Sequence, residues 1–315
     1  MKINRCAPFL AGLLLMLSAV SHGAEAISST GAPELRPLLA AAVQKTLATF
    51  AGKKLLPTEV AVTLIDLRDG KNKAQASYRG QEQIYPASVI KLFYLAAAHR
   101  WMEDRKIEDT AELRRAMSDM IVHSYNEATG YVVDVLTGTT SGPELPEREI
   151  QEWLEKRNAV NRYFTSMGYT NINANKKPWC EGPYGRETQA VKLFSPKRNF
   201  LTTDATARLL SEIATGQAVT PARCGEMMKL LERAPMSKTT DPDDQSHGFT
   251  GPAIGEGGKI WSKAGWTSDT RHDAAYVELP NGAKFVLVTF TINHAAERAI
   301  IPSLAREIVA AMNPR

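Results

Sequence analysis

The chain has 315 residues, 43% of them hydrophobic and 7% aromatic, which excludes a disordered chain and suffices for one large domain or two intimate ones. Its formal charge of +4 comes from 38 basic against 34 acidic residues, which excludes the basic footprint of a nucleic-acid-binding protein.

In chain order, Lys2 and Arg5 precede an apolar run over residues 7–20, and small residues follow to Gly23 and Ala24. This is the pattern of a secretory signal peptide cleaved near Ala24, too short for a membrane span. The expected mature protein, residues 25–315, is soluble, periplasmic or secreted, monomeric and free of membrane.

Residues 33–50 have the leucine and alanine spacing of a helix, and residues 60–65 read as a strand. A turn at Arg68, Asp69 and Gly70 returns the chain through a second strand over 74–78. Tyr85, Pro86 and Ala87 lead to Ser88, and the apolar residues 89–98 make a mostly buried helix. Thr110 with Glu112 marks a helix start, with Leu113, Met117, Met120 and Ile121 on one face up to His123. A helix over 127–136 then leaves Ser124, Tyr125 and Asn126 in a tight connection.

Residues 142–177 are polar, with one helix through Trp153, and pass into an irregular stretch over 178–185. Helix resumes after Thr202, Thr203 and Asp204. Residues 259–264, 274–279 and 284–292 read as three strands, and a last helix spans 295–312. This order predicts an α+β fold, an antiparallel sheet built from both chain ends (33–85 and 250–315), flanked by helices and joined to a helical subdomain (86–249).

With Cys6 in the leader, Cys180 and Cys224 remain as the one possible disulfide, worth about 4 kcal/mol on the chain-entropy account. The alternative is two buried free thiols. The histidines are scattered, without H-E-x-x-H or C-x-x-C spacing, so no metal or cofactor is expected.

Ser88 and Lys91 stand three apart at a helix start, a spacing that brings an amine near a hydroxyl and suits proton transfer from a nucleophile to its base. Burial and the helix N-terminus would favour the neutral amine. Ser124 can pass a proton to a leaving nitrogen and Asn126 can orient a substrate amide, although both residue types also cap helices. On a later strand stand Lys263, Ala264 and Gly265, with Arg271 beyond; the two cations can hold a carboxylate, and the small residues admit a substrate to the backbone.

These segments, S-V-I-K, S-Y-N and K-A-G in that order, resemble the S-x-x-K, S-D-N and K-T-G motifs of the penicillin-recognising serine hydrolases, most closely the class A β-lactamases and their transpeptidase-like relatives. The resemblance spans nearly the whole mature chain. It implies a Ser88 acyl-enzyme, Lys91 as base, Ser124 as proton shuttle, and Asn126, Lys263, Ala264, Gly265, Trp266 and Arg271 as substrate-binding residues. The backbone N–H groups of Ser88 and Trp266 would form the oxyanion hole.

The chain departs from the family pattern at four places. Ala264 replaces a hydroxyl that binds the substrate carboxylate, a loss of about 1.5–3 kcal/mol. Tyr125 replaces an acid, the segment from Ser88 to Ser124 is short, and no E-x-x-L-N string supplies the deacylating glutamate. Glu181 and Glu187 both remain candidates for that role. The expected substrate is a β-lactam or a peptidoglycan-derived amide, opened by hydrolysis. A D,D-peptidase or penicillin-binding protein with slow deacylation is the second reading, and a non-catalytic binder of peptidoglycan fragments is the third.

Overall fold

The computed structural model describes residues 27–30, 33–69, 73–179 and 182–313. The expected leader, Cys180 and Glu181 lie outside them.

Among the described residues seven antiparallel strands form one sheet: β1 (Ile27–Thr30), β2 (Val60–Asp66), β3 (Ala74–Tyr78), β4 (Glu232–Arg233), β5 (Lys259–Trp266), β6 (Thr270–Glu278) and β7 (Lys284–Ile292), in the order β1-β3-β2-β7-β6-β5-β4. β7 joins the two chain ends, pairing Leu64 with Leu287 on one side and Ala275 with Leu287 on the other. Both faces of the sheet are covered, so β2 and the interior of β7 are buried at every residue and read as near-continuous apolar runs.

One face packs on α1 (Leu35–Thr49) and α10 (Ile300–Met312), where Leu39, Val43, Leu304 and Ile308 close over Leu64 and Leu287. The other face carries the helical part: α2 (Lys91–Glu103), α3 (Ala111–Ser118), α4 (Asn126–Thr137), α5 (Glu147–Arg157), α6 (Ala159–Ser166), α7 (Gly185–Leu193), α8 (Thr203–Ala214) and α9 (Pro221–Leu231). α2 runs through its middle and is buried continuously from Lys91 to His99, so it shows no polar face. Thr110, Thr202 and Thr220 cap α3, α8 and α9 by accepting a backbone N–H three residues on, the bond that a hydroxyl at this position supplies to an otherwise unpaired donor.

The expected sheet from both chain ends and the helices that flank it are present. The differences are local. β1 and β4 escape a pattern search because they are short, and α7 because Ala190 is its one buried apolar residue. β6 starts at Thr270 rather than 274, since its first turns bury Arg271, His272 and Asp273, residues that polarity places in a loop. None of the described helices is long and apolar enough to cross a membrane.

α8 is tied to the sheet by one carboxylate. Asp204 accepts hydrogen bonds from Thr63 (2.7 Å), Gln75 (3.0 Å), Ser77 (2.5 Å) and Gln81 (2.5 Å). Asp204→Ala removes the acceptor of Ser77 and Gln81 and leaves Thr63 and Gln75 only Thr203 and Ser77, and is expected to lower the unfolding free energy by about 2–3 kcal/mol in urea titrations.

Candidate active site

Ser88 lies in a 3₁₀ turn, Ala87–Ile90, that runs directly into α2. Two features fix this turn. Ala87 is held at φ +45°, a left-handed conformation that costs a residue with a Cβ on the order of 1 kcal/mol. His272, fully buried on β6, accepts the Thr291 N–H at Nδ1 (3.2 Å), which leaves Nε2–H to donate to the Tyr85 carbonyl (2.9 Å). Burial holds this imidazole neutral, lowering its pKa to about 4.

β5 lies against the same turn. A Cβ at Gly265 would stand 2.6 Å from the Ser88 nitrogen, 2.8 Å from that of Val89 and 2.9 Å from the Pro86 carbonyl, so only glycine lets the strand approach. The Thr267 N–H donates to Thr270 across the β5–β6 hairpin, whereas the Ala264 N–H donates to Gln245, away from β6. Alternation along the strand then points the Trp266 N–H to that same open edge, beside Ser88.

Ser124 follows a single π-turn, Asp119–His123, and has φ +59°, so the chain reverses sharply before α4. Its hydroxyl stands between two amines, 3.2 Å from Lys91 Nζ and 3.0 Å from Lys263 Nζ. Lys91 also donates to the Ser124 carbonyl (2.6 Å) and Asn126 Oδ1 (2.9 Å), and Lys263 to the Ala264 carbonyl (2.6 Å) and Gln245 Oε1 (2.8 Å). Both lysines are completely buried. Burial, with the nearby charges of Lys91 and Arg233, pushes the Lys263 pKa well below its ordinary value, against a weaker opposing pull from Asp273.

Beneath them Arg233 donates to the Ser262 carbonyl (2.8 Å) and the Ile121 carbonyl (3.2 Å); burial brings its pKa down to about 10. Asp273, also buried, accepts the Thr250 N–H (3.0 Å), and burial raises its pKa. Lys263 and Arg233 thus both stand near the buried Asp273 carboxylate, and Lys91 near Lys263.

Ser88, Lys91, Ser124, Asn126, Lys263 and Gly265 therefore meet in one place. Three other expectations change. The Ala264 side chain is buried against Phe249 and Ile301, so it fills an apolar cluster and offers the site its backbone. Arg271 stacks on Phe249, with its guanidinium carbon 4.0 Å from the ring centre, and donates to Asp243 (2.7 Å) and the Gly248 carbonyl (2.8 Å). Its fork holds the segment that carries Gln245.

Glu187 lies in a buried ionic network on α7. Arg157 grips both its oxygens (2.8 and 3.0 Å), Ser141 donates to Oε1 (3.0 Å), and Lys177 joins Asp134 at 2.6 Å. This geometry pins α7 to α5 and α4. Cys224 is a buried free thiol on α9; its expected partner lies outside the described residues.

Sequence reading passes over Gln245, His272, Arg233 and Asp273. They belong to no motif, and only the strand pairing of β6 signals that two of them are buried.

A model of the beta-lactamase enzyme family matches residues 100–312. The chain belongs to that family. It is a serine hydrolase, and Ser88 and Lys91, ahead of the matched span, complete the site in three dimensions.

Among solved structures it is similar to a β-lactamase from Sphaerobacter thermophilus (20% identity, TM-score 0.60, covering 89% of this chain and 99% of that one). It is also similar to PBP-A (17%, 0.61, 88% and 96%) and a β-lactamase from Xanthomonas campestris pv. campestris (15%, 0.63, 86% and 97%). At such identities these likenesses establish the fold. No curated protein sequence matches the chain.

Two variants test this geometry. Gly265→Ala must push β5 off the Ser88 turn, and is expected to lower serine labelling at Ser88 at least a hundredfold while costing about 1–3 kcal/mol of stability. Asp243, bonded to Arg298 first and Arg271 second, has its carboxylate pKa lowered from 3.8 to about 2. The stabilisation it gives is present above pH 3.8 and lost as the pH falls toward 2, so urea midpoints between pH 4 and 2 should fall less in Asp243→Asn than in wild type.

Proposed function

We propose that this serine hydrolase is exported and opens β-lactams or related cyclic or peptidyl amides through a Ser88 acyl-enzyme. The observation that carries the reading is the Ser124 hydroxyl within hydrogen-bond reach of both Lys91 and Lys263.

The Ser88 hydroxyl loses its proton to the Lys91 amine as its oxygen attacks the substrate carbonyl. Charge on the carbonyl oxygen is met by the N–H groups of Ser88 and Trp266. The proton passes from Lys91 through Ser124 to the leaving nitrogen as the C–N bond breaks, leaving an ester on Ser88. Asn126, whose Nδ2 donates to the Trp179 carbonyl (3.2 Å), borders a cavity of about 360 Å³ walled by Tyr131, Pro178 and Trp179. It is large enough for a side group of the acyl part. A cavity of about 410 Å³ between β3, α8 and residues 168–171 lies away from these groups and takes no part.

Water must then cleave the ester. With Glu187 engaged by Arg157, Glu181 is the candidate left to position that water. The same engagement favours a second reading, a penicillin-binding enzyme whose acyl-enzyme persists.

Intact-mass measurements on the mature protein and its Ser88→Ala variant with a penicillin decide between them. A wild-type adduct absent from Ser88→Ala establishes the nucleophile. Its loss within seconds, with accumulating hydrolysed drug, marks a β-lactamase; an adduct that lasts for hours marks the penicillin-binding reading. No adduct and no product would overturn both.

A further inference from the structure

Residues 234–250 connect β4 to the turn that precedes β5, and one side chain of this segment enters the catalytic centre. Gln245 is buried, and both ends of its carboxamide are used. Nε2 donates to the carbonyls of Ile121 (3.1 Å) and Val122 (2.9 Å), in the π-turn before Ser124. Oε1 accepts from Lys263 Nζ (2.8 Å) and the Ala264 N–H (3.1 Å). One side chain thereby cross-links β5 to the turn that carries Ser124.

The donor count at Lys263 gives this bridge a chemical meaning. The nitrogen faces the Gln245 oxygen, the Ala264 carbonyl and the Ser124 hydroxyl. The first two can only accept, so they take two N–H bonds whether the nitrogen is an ammonium with three or an amine with two and a lone pair. The third position, N–H or lone pair, is therefore turned to Ser124 Oγ in both states.

We propose that Gln245 is a positioning residue of this site: its carboxamide sets the rotation of the Lys263 amine, so that the position able to gain or lose a proton faces Ser124. The same oxygen occupies the outward N–H of Ala264, leaving that of Trp266 as the next donor on the β5 edge. Arg271 supports the arrangement from below through the Gly248 carbonyl and Asp243. The catalytic consequence rests on the acyl-transfer reading; the effect on Lys263 does not.

The test is NMR titration of Lys263 in full-length mature protein with ¹³Cε-lysine, assigned by Lys263→Arg, in wild type, Gln245→Met and Gln245→Glu. An acceptor oxygen favours the ammonium and a carboxylate favours it more. The Lys263 midpoint should fall by at least one pH unit in Gln245→Met and rise by at least one in Gln245→Glu. A midpoint that stays in place in both, with only the melting temperature changed, overturns the proposal; should Gln245→Met not fold, the sign of the shift in Gln245→Glu decides. In the same variants penicillin acylation should slow at least tenfold in Gln245→Met, with its pH profile following the Lys263 midpoint. A wild type that forms no adduct defeats the acyl-transfer reading, while the titration still decides the role of Gln245.

Discussion

Everything in this protein depends on holding two buried lysine amines on one serine hydroxyl. Each amine separately resists burial as a cation, and together they repel. Fixed dipoles meet each of them. Lys91 is met by the Ser124 carbonyl and Asn126, and Lys263 by the Ala264 carbonyl and Gln245. Oxygens of this kind stabilise an ammonium without trapping its proton, which a carboxylate at the same distance would do.

Such a balance demands rigid surroundings, because a shift of half an ångström would break a contact or admit water. Rigidity comes from close backbone approach and from buried polar ties. Gly265 brings β5 onto the Ser88 turn, His272 ties β6 to Tyr85, and the Arg271 fork holds the segment that supplies Gln245. On the far side Arg157, Glu187, Asp134 and Lys177 join α4, α5 and α7 around the residues that border Asn126. Removing one partner there strands a charge, so this network enforces one arrangement of helices more than it adds stability.

The motif residues were legible in the sequence because spacing and order carry them: three residues on a helix place an amine by a hydroxyl, and a small pair on a strand admits a neighbour. The sheet was legible because its strands are long, apolar and bounded by turns. Gln245, Arg233 and Asp273 were not, since burial of a polar residue is a property of the finished fold. Ala264 and Arg271 show the converse. Their positions read as substrate contacts, yet the pleat turns the Ala264 methyl into an apolar cluster, and Asp243, distant from any motif, claims Arg271. Glu187 likewise reads as a free loop acid until Arg157, thirty residues earlier, is seen against it.

β7 stands between β2 and β6, so Val62 meets Thr289 across about 230 residues of intervening chain. A contact so distant in sequence must wait for nearly the whole polypeptide. A chain still emerging from its ribosome can form α2 and the helices after it, but it has no complete sheet against which to set Ser88. The nucleophile and its two amines are thus brought together only when synthesis is nearly finished, which keeps a reactive serine from being assembled in a half-made enzyme.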